Sequence, residues 1–288
     1  MLRIREYIIE SCIKLSGFLV IAFVFLIFLF LLKDSLSLFG VYPLGDFLSG
    51  VKWLPISEPP TFGMIPLLLG SLYVTAVAIV ICVPIGVATA MFIAEAAPQS
   101  LKHILKALIE ILASIPSVIL GFIGIVWLGP FLKDIFNLTT GMCGMTGSLL
   151  LAFMALPTII SISEDAIISV PKSYKEAAYG LGATRWQALW RIVLPSASPG
   201  IIAGVMLGIG RVIGETMVVM MVTGNAPVMP SSIFKPLRTL TATVAGEMGE
   251  TVSGSDHYFA LFAVGLILFI ITFIINLIAE FFLRRERK

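Results

Sequence analysis

Two charged residues interrupt an otherwise apolar run. Arg211 and Glu215 are the only charges in Pro199–Val222, a stretch of 24 residues. An Arg, Lys or Asp at the centre of a bilayer costs about 2.5–3.5 kcal/mol even on a lenient insertion scale, so a compensating partner is expected. Glu215 lies four residues after Arg211 and shares its face on an uninterrupted helix. At 100° per residue, Gly200, Gly204 and Gly208 fall on that side too. Ile201, Ile202, Val205, Met206, Ile209, Val212 and Ile213 fill the opposite arc. Glycine at every fourth position permits close helix approach, so the charged face is predicted to meet protein or a water-filled path. Two chemistries fit these residues. The planar donor fork of Arg211 suits an oxyanion, with Glu215 holding the guanidinium in place. Alternatively the pair neutralises itself and only fixes helix packing.

A second constellation lies at Val170–Pro195. Ser173 with Glu176, and Thr184 with Gln187, have the spacing of capping boxes, which predicts two short helices. Gly180 and Gly182 are expected to end the first of them. The second carries Trp186 and Trp190 one turn apart and is expected to stop before Pro195. Ser198-Pro199 then supplies an N-cap and first residue for the charged span. Such a corner reads either as a rigid projecting knuckle or as an interfacial connector, since Trp favours the headgroup zone.

The elements that hold these residues are read from composition. Of 288 residues, 58% are hydrophobic and only 12% charged, too few to coat a soluble globule. The net charge of +2 gives no general attraction to nucleic acid. Six apolar stretches have the length of a bilayer crossing: Leu15–Leu32, Leu67–Ala94, Ile111–Leu132, Met145–Ser163, Pro199–Val222 and His257–Ala279. The first is longer than the apolar core of a signal peptide and is read as a retained helix. With the N-terminus inside, 13 Lys and Arg residues fall on the cytoplasmic side and five outside. Both termini are therefore predicted to be cytoplasmic. The external loop 33–61 is rich in turn residues, and a Thr-rich stretch at Leu240–Thr251 is expected to form a short helix. The predicted fold class is an all-α membrane protein with six transmembrane helices. It divides into an N-terminal helix and external loop (1–66), a permease core (67–280) and a basic cytoplasmic tail (281–288).

The loop pattern is specific. Glu176-Ala177-Ala178, then Gly182, Ile192 and Leu194-Pro195 at fixed intervals, resembles the EAA loop of ABC importer permeases. The resemblance implies a type I, MetI-like importer core. It also implies that Glu176, Ala177, Ala178, Gly182, Ile192, Leu194 and Pro195 couple the chain to a cytoplasmic ATPase. Gly210-Arg211-Val212-Ile213-Gly214-Glu215-Thr216-Met217, followed by Gly224-Asn225, is similar to the fifth span of PstC-type phosphate permeases. Phe62-Gly63, Pro66, the run Gly70–Thr75 and Pro84-Ile85-Gly86 share that likeness, which covers residues 60–280. What it implies is uptake of inorganic phosphate across the bacterial plasma (inner) membrane. Arg211, Glu215 and Thr216 would line the translocation path. The implied partners are a PstA-type sister permease, a homodimeric PstB-type ATPase and a periplasmic or surface PstS-type binding protein, within membrane lipid.

Other chemistry finds little support. No GxxxxGK[ST] motif occurs, so the chain is expected to bind no cofactor itself, with ATP and Mg on the partner ATPase. Cys12, Cys82 and Cys143 are assigned to three different compartments and read as apolar filler. His103 and His257 fall on opposite sides of the membrane and read as solvated surface residues, leaving neither a catalytic dyad nor a metal centre. The alternatives are the sister permease, a permease for molybdate or sulfate, and a stand-alone carrier. A carrier would show paired repeats with broken helices and has no ATPase for the loop to engage.

Overall fold

The computed structural model describes residues 2–286. Met1, and Arg287 and Lys288 of the predicted basic tail, lie outside them. Six helical stretches among the described residues are long and apolar enough to cross a membrane: Ile9–Phe39, Ile65–Ala96, Ser117–Phe136, Gly144–Ser169, Arg185–Gly214 and Asp256–Phe282. Each overlaps one of the six predicted from hydropathy.

The chain begins with α1 (Leu2–Phe39), followed outside the core by α2 (Leu44–Ser49) and a hairpin of β1 (Trp53–Leu54) and β2 (Thr61–Phe62). The second span is α3 (Ile65–Met91). A short helix, α4 (Gln99–Ser114), precedes a third span built from α5 (Ser117–Ile123) and α6 (Gly129–Phe136). The fourth span is α7 (Gly144–Ser169), which leads into α8 (Lys172–Gly180) and α9 (Arg185–Ala188). Next come α10 (Leu194–Gly214), α11 (Met217–Val222), α12 (Leu240–Glu247) and the last span α13 (Asp256–Glu286).

Burial orders the spans. The apolar stretch of α7 is 61% buried, whereas no residue of that of α1 is fully buried. α7 is the central post, packed against α3 on one side and α10 on another; α13 joins α10 to the peripheral α1. The small-residue face of α10 explains the fit. Ala197, Gly200, Gly204 and Gly208 are buried, and a methyl at Gly208 would come within 2.7 Å of Ile159 on α7. The glycines thus let two helices meet at a distance where no larger residue fits. Of the apolar residues behind them, Ile202 and Leu207 are exposed, whereas Val212 is buried and Ile201 and Val205 pack against the core.

Three wide π-helical turns shape the spans: Phe92–Ala96, Gly124–Leu128 and Leu189–Val193. Each ends two residues before a proline. The N–H of Ala97, Gly129 and Leu194 donates five residues back, and Pro98, Pro130 and Pro195 follow directly. Proline has no N–H and its ring clashes with the carbonyl four residues earlier, so an α turn there is strained. Widening the turn moves that carbonyl aside and satisfies the neighbouring amide.

Two sequence expectations fail for this reason. The loop helix does not stop before Pro195, and Ser198-Pro199 does not open a new one. Arg185–Gly214 is continuous through the third wide turn, with Pro195 in the first turn of α10 and Pro199 inside it. The third span also begins later than predicted. Ile111 lies in α4, which ends at an extended Ile115 before Pro116 (φ −60°, ψ 136°).

Outside the membrane core, loop 33–61 is not merely a string of turns. Leu38, Phe47, Trp53 and Phe62 pack with Leu67, Leu240 and Leu261 into a buried cluster. The Thr-rich stretch forms α12, started by Thr239, whose side chain accepts from the Ala242 N–H. Glu247 at its end accepts from Trp53 Nε1 at 3.0 Å, lies 2.8 Å from His257 Nε2 and pairs with Arg238. His257 is therefore not a solvated residue. It is held in a carboxylate-centred cluster beside Trp53 and Phe62.

Candidate functional site

The charged span is broken where its chemistry lies. α10 ends at Gly214, Glu215 is extended (ψ 131°), and α11 starts two residues later. An uninterrupted helix would set Arg211 and Glu215 on one face; the break removes that geometry. Arg211 and Glu215 do not form the expected ion pair: among the described residues the ion pairs involve other partners. Instead each charge meets its own helix end. Arg211 occupies the last turn of α10, where the carbonyl end of the helix favours a cation. The Glu215 carboxylate accepts from the Met217 N–H at 3.0 Å and the Val218 N–H at 3.3 Å, covering free amides at the start of α11.

The guanidinium is left largely uncommitted. Among the described residues its one hydrogen bond runs from Nη1 to Thr158 Oγ1 on α7, at 3.4 Å, and the residue is exposed on this chain. The planar fork therefore retains most of its donors for an anion. Thr216 lies at the break with its hydroxyl donating to the Gly214 carbonyl.

Beside Glu215 the fold assembles hydroxyl groups from distant segments. Thr241 Oγ1 donates to the Glu215 carbonyl at 2.9 Å and lies 3.1 Å from Thr239 Oγ1. Ser71 Oγ accepts from the Leu240 N–H at 2.9 Å. Gly70 makes this approach possible, because a Cβ there would collide with the Arg238 carbonyl. Ser71, Thr75, Thr239 and Thr241 line a crevice against Glu215 of about 10 Å³, room for one water at most. Sequence reasoning missed Thr158, Thr239 and Thr241 as neighbours of the charged residues. Their isolated hydroxyls carry no spacing signal, although the run Gly70–Thr75 does contain Ser71 and Thr75.

The knuckle forms at Val170–Pro195 with one altered start. α8 begins at Lys172 with Pro171 as N-cap, and Ser173 makes no capping bond. Pro171 fixes a helix-compatible φ and places Ser173 inside the first turn, so its box with Glu176 does not form. The corner behaves as expected. Gly182 adopts φ +82°, with its N–H bound to the Tyr179 carbonyl and that of Ala183 to Ala178, closing the end of α8. Thr184 and Gln187 form the reciprocal capping box of α9. Glu176, Ala177 and Leu181 are exposed, whereas Ala178 is buried. Ile192 is half-buried, and Leu194 and Pro195 lie where the wide turn passes into α10. The fold thus brings the loop residues together on the knuckle, away from Arg211 and Glu215 at the far end of α10.

A six-span bundle with a protruding helical corner and a broken, charged fifth span defines a multi-pass membrane permease. The chain belongs to the family described as binding-protein-dependent transport system inner membrane component, which matches residues 83–288. It is therefore an ABC importer permease, a family whose members work with an ATPase and a substrate-binding protein. Among its relatives is a "Phosphate transport system permease protein PstC" of Mesorhizobium japonicum, 39% identical over 88% of this chain and 81% of that protein. A second PstC, from Pasteurella multocida, is 35% identical over 99% of this chain and 95% of its own length. A "Probable ABC transporter permease protein YqgH" of Bacillus subtilis is 40% identical over 86% and 80%. Solved structures share the fold. The MetNI methionine ABC transporter in an inward-facing form superposes with a TM-score of 0.59 at 23% identity, covering 80% of this chain and 99% of that one. A bacterial ABC transporter involved in the import of the acidic polysaccharide alginate gives 0.64 at 18%, over 99% and 100%.

Proposed function

We propose that this chain is a path-forming permease subunit of an ATP-driven importer of inorganic phosphate in the bacterial plasma membrane. Relatives called phosphate transport system permeases cover up to 99% of it, which supports the substrate class. The observation that carries the reading is the free guanidinium of Arg211, compensated by a helix end rather than by Glu215. A cation already neutralised by a carboxylate would have little to offer a tetrahedral oxyanion. Glu215 keeps its own charge on the α11 amides and, with Thr216, edges the same break.

On this reading a PstA-type sister permease completes the path, a homodimeric PstB-type ATPase binds ATP and Mg, and a PstS-type protein delivers phosphate from outside. Both termini are cytoplasmic, and α8 with the Gly182 corner engages the ATPase through Glu176, Ala177 and the residues around them. The test is phosphate-driven ATPase activity of the reconstituted complex, compared with sulfate and molybdate. Stimulation by phosphate alone is expected. Equal stimulation by sulfate or molybdate would refute phosphate as the substrate.

A further inference from the structure

The inner face of α8 is made of very few side chains. Only Lys175 and Ala178 turn inward, one turn apart on the helix; the remaining residues of α8 are exposed. Ala178 fills a contact against its neighbours, but Lys175 reaches a different part of the fold. Its Nζ pairs with the carboxylate of Glu95, and the two side chains are only 21% and 23% exposed. Glu95 is not in the loop. It lies in the wide turn Phe92–Ala96 that ends the second span.

That turn is anchored on both sides. Ile93 and Ala90 are fully buried in a cluster with Ile160, Ile167, Val193 and Ala197, which joins the inner ends of the second, fourth and fifth spans. Lys102 of α4 donates to the Ala94 carbonyl at 2.8 Å, satisfying an acceptor that the wide turn leaves at the helix end. Glu95 is thus fixed to a rigid span end, and the ion pair is the polar link from α8 to it. The covalent chain joins α8 only to the fourth and fifth spans.

We infer that Lys175 and Glu95 are positioning residues for coupling: the pair ties the ATPase-facing helix to the second span. Through it, a displacement of α8 reaches the span that carries Ser71 and Thr75 beside Glu215. This rests on α8 being the ATPase-engaging element. An isolated exposed ion pair contributes little; this one is shielded and adds a direct polar link from α8 to the second span beside the apolar cluster that the span shares with the fourth and fifth.

The experiment uses the complete complex with sister permease, ATPase and binding protein in liposomes. Phe92, exposed in the wide turn, is replaced by cysteine in a Cys-less background, and its labelling is followed with and without ATP. Phosphate imported per ATP hydrolysed is measured in parallel. Lys175→Met and Glu95→Gln are each expected to keep the ATPase bound yet abolish the ATP response at position 92. Each should lower the transport ratio by at least about fivefold, the small end of allosteric couplings. The charge exchange Lys175→Glu with Glu95→Lys should restore both readouts. An unaltered ATP response in the single variants would overturn the inference. So would loss of the ATPase confined to those variants, because the pair would then serve docking. An ATPase that fails to bind the unsubstituted complex would overturn the docking reading, and this inference with it.

Discussion

Substituting Arg211 and Glu215 singly and together distinguishes a pair from two independently compensated charges. If each charge is held by its own helix end, Arg211→Ala loses a cation in the last turn of α10, a helix-end interaction of about 0.3–1 kcal/mol. Glu215→Ala uncovers the Met217 and Val218 amides, which by analogy with lost N-caps costs about 0.5–2 kcal/mol. The double variant should then be destabilised by the sum, to within about 0.3–0.5 kcal/mol. A mutual ion pair behaves differently. Removing one partner from a buried pair costs about 3–5 kcal/mol, and removing the second relieves much of that. Thermal unfolding of the detergent-solubilised complex measures the three shifts, and labelled phosphate uptake in liposomes measures function. Uptake should be absent in Arg211→Ala and in the double variant, and partly retained in Arg211→Lys, which keeps charge but loses the planar fork. A double variant more stable than Arg211→Ala alone would refute the separate compensation of the two charges. Near-normal uptake by the double variant would remove Arg211 from the anion path.

Gly182→Val places a β-branched residue at φ +82°, costing at least about 1–2 kcal/mol locally; the subunit should insert normally but lose uptake, and normal uptake with the ATPase bound would count against the docking corner. Gly208→Leu overpacks the contact with Ile159 and should destabilise the complex by about 1–3 kcal/mol, with Gly208→Ala intermediate in the same melting assay. For topology, cysteine at Val252 (76% exposed) should react with an impermeant reagent from outside and cysteine at Ser173 only from inside. Thr243, in α12 between the last two spans, is a poor reporter because it is completely buried. The opposite labelling would invert the charge-based orientation.

Hydropathy was enough for the spans because lipid leaves a helix no external hydrogen-bond partners, so long apolar runs have one outcome. The loop corner was equally legible: Gly182 must be glycine, and Thr184 with Gln187 act within four residues. The misreadings share another cause. Pro195 is a reliable stop only if the turn before it is an α turn, and Leu189–Val193 is not. The i, i+4 rule for Arg211 and Glu215 assumed a helix that Gly214 ends. Ser173 was a plausible cap until Pro171 started the helix earlier. The hydroxyls near Glu215 come from α3 and the segment around α12, residues far apart in the chain, so only the folded contacts reveal them. Lys175 and Glu95 were hidden in the same way, 80 positions apart.

The wide turn at Leu189–Val193 acts as a one-residue phase shift. A π turn holds one residue more than an α turn, so each later side chain is rotated by about 100° from where a regular helix would carry it. The knuckle and α10 form one continuous rod, yet their working faces are indexed separately. Upstream, Ala188 is buried and Trp186 exposed; downstream, Ala197, Gly200, Gly204 and Gly208 meet α7. Deleting a single residue from this turn would leave every other side chain chemically intact and still break the protein. It would swing the glycine face off α7, or turn the Gly182 corner away from its present direction, by more than a quarter of a revolution.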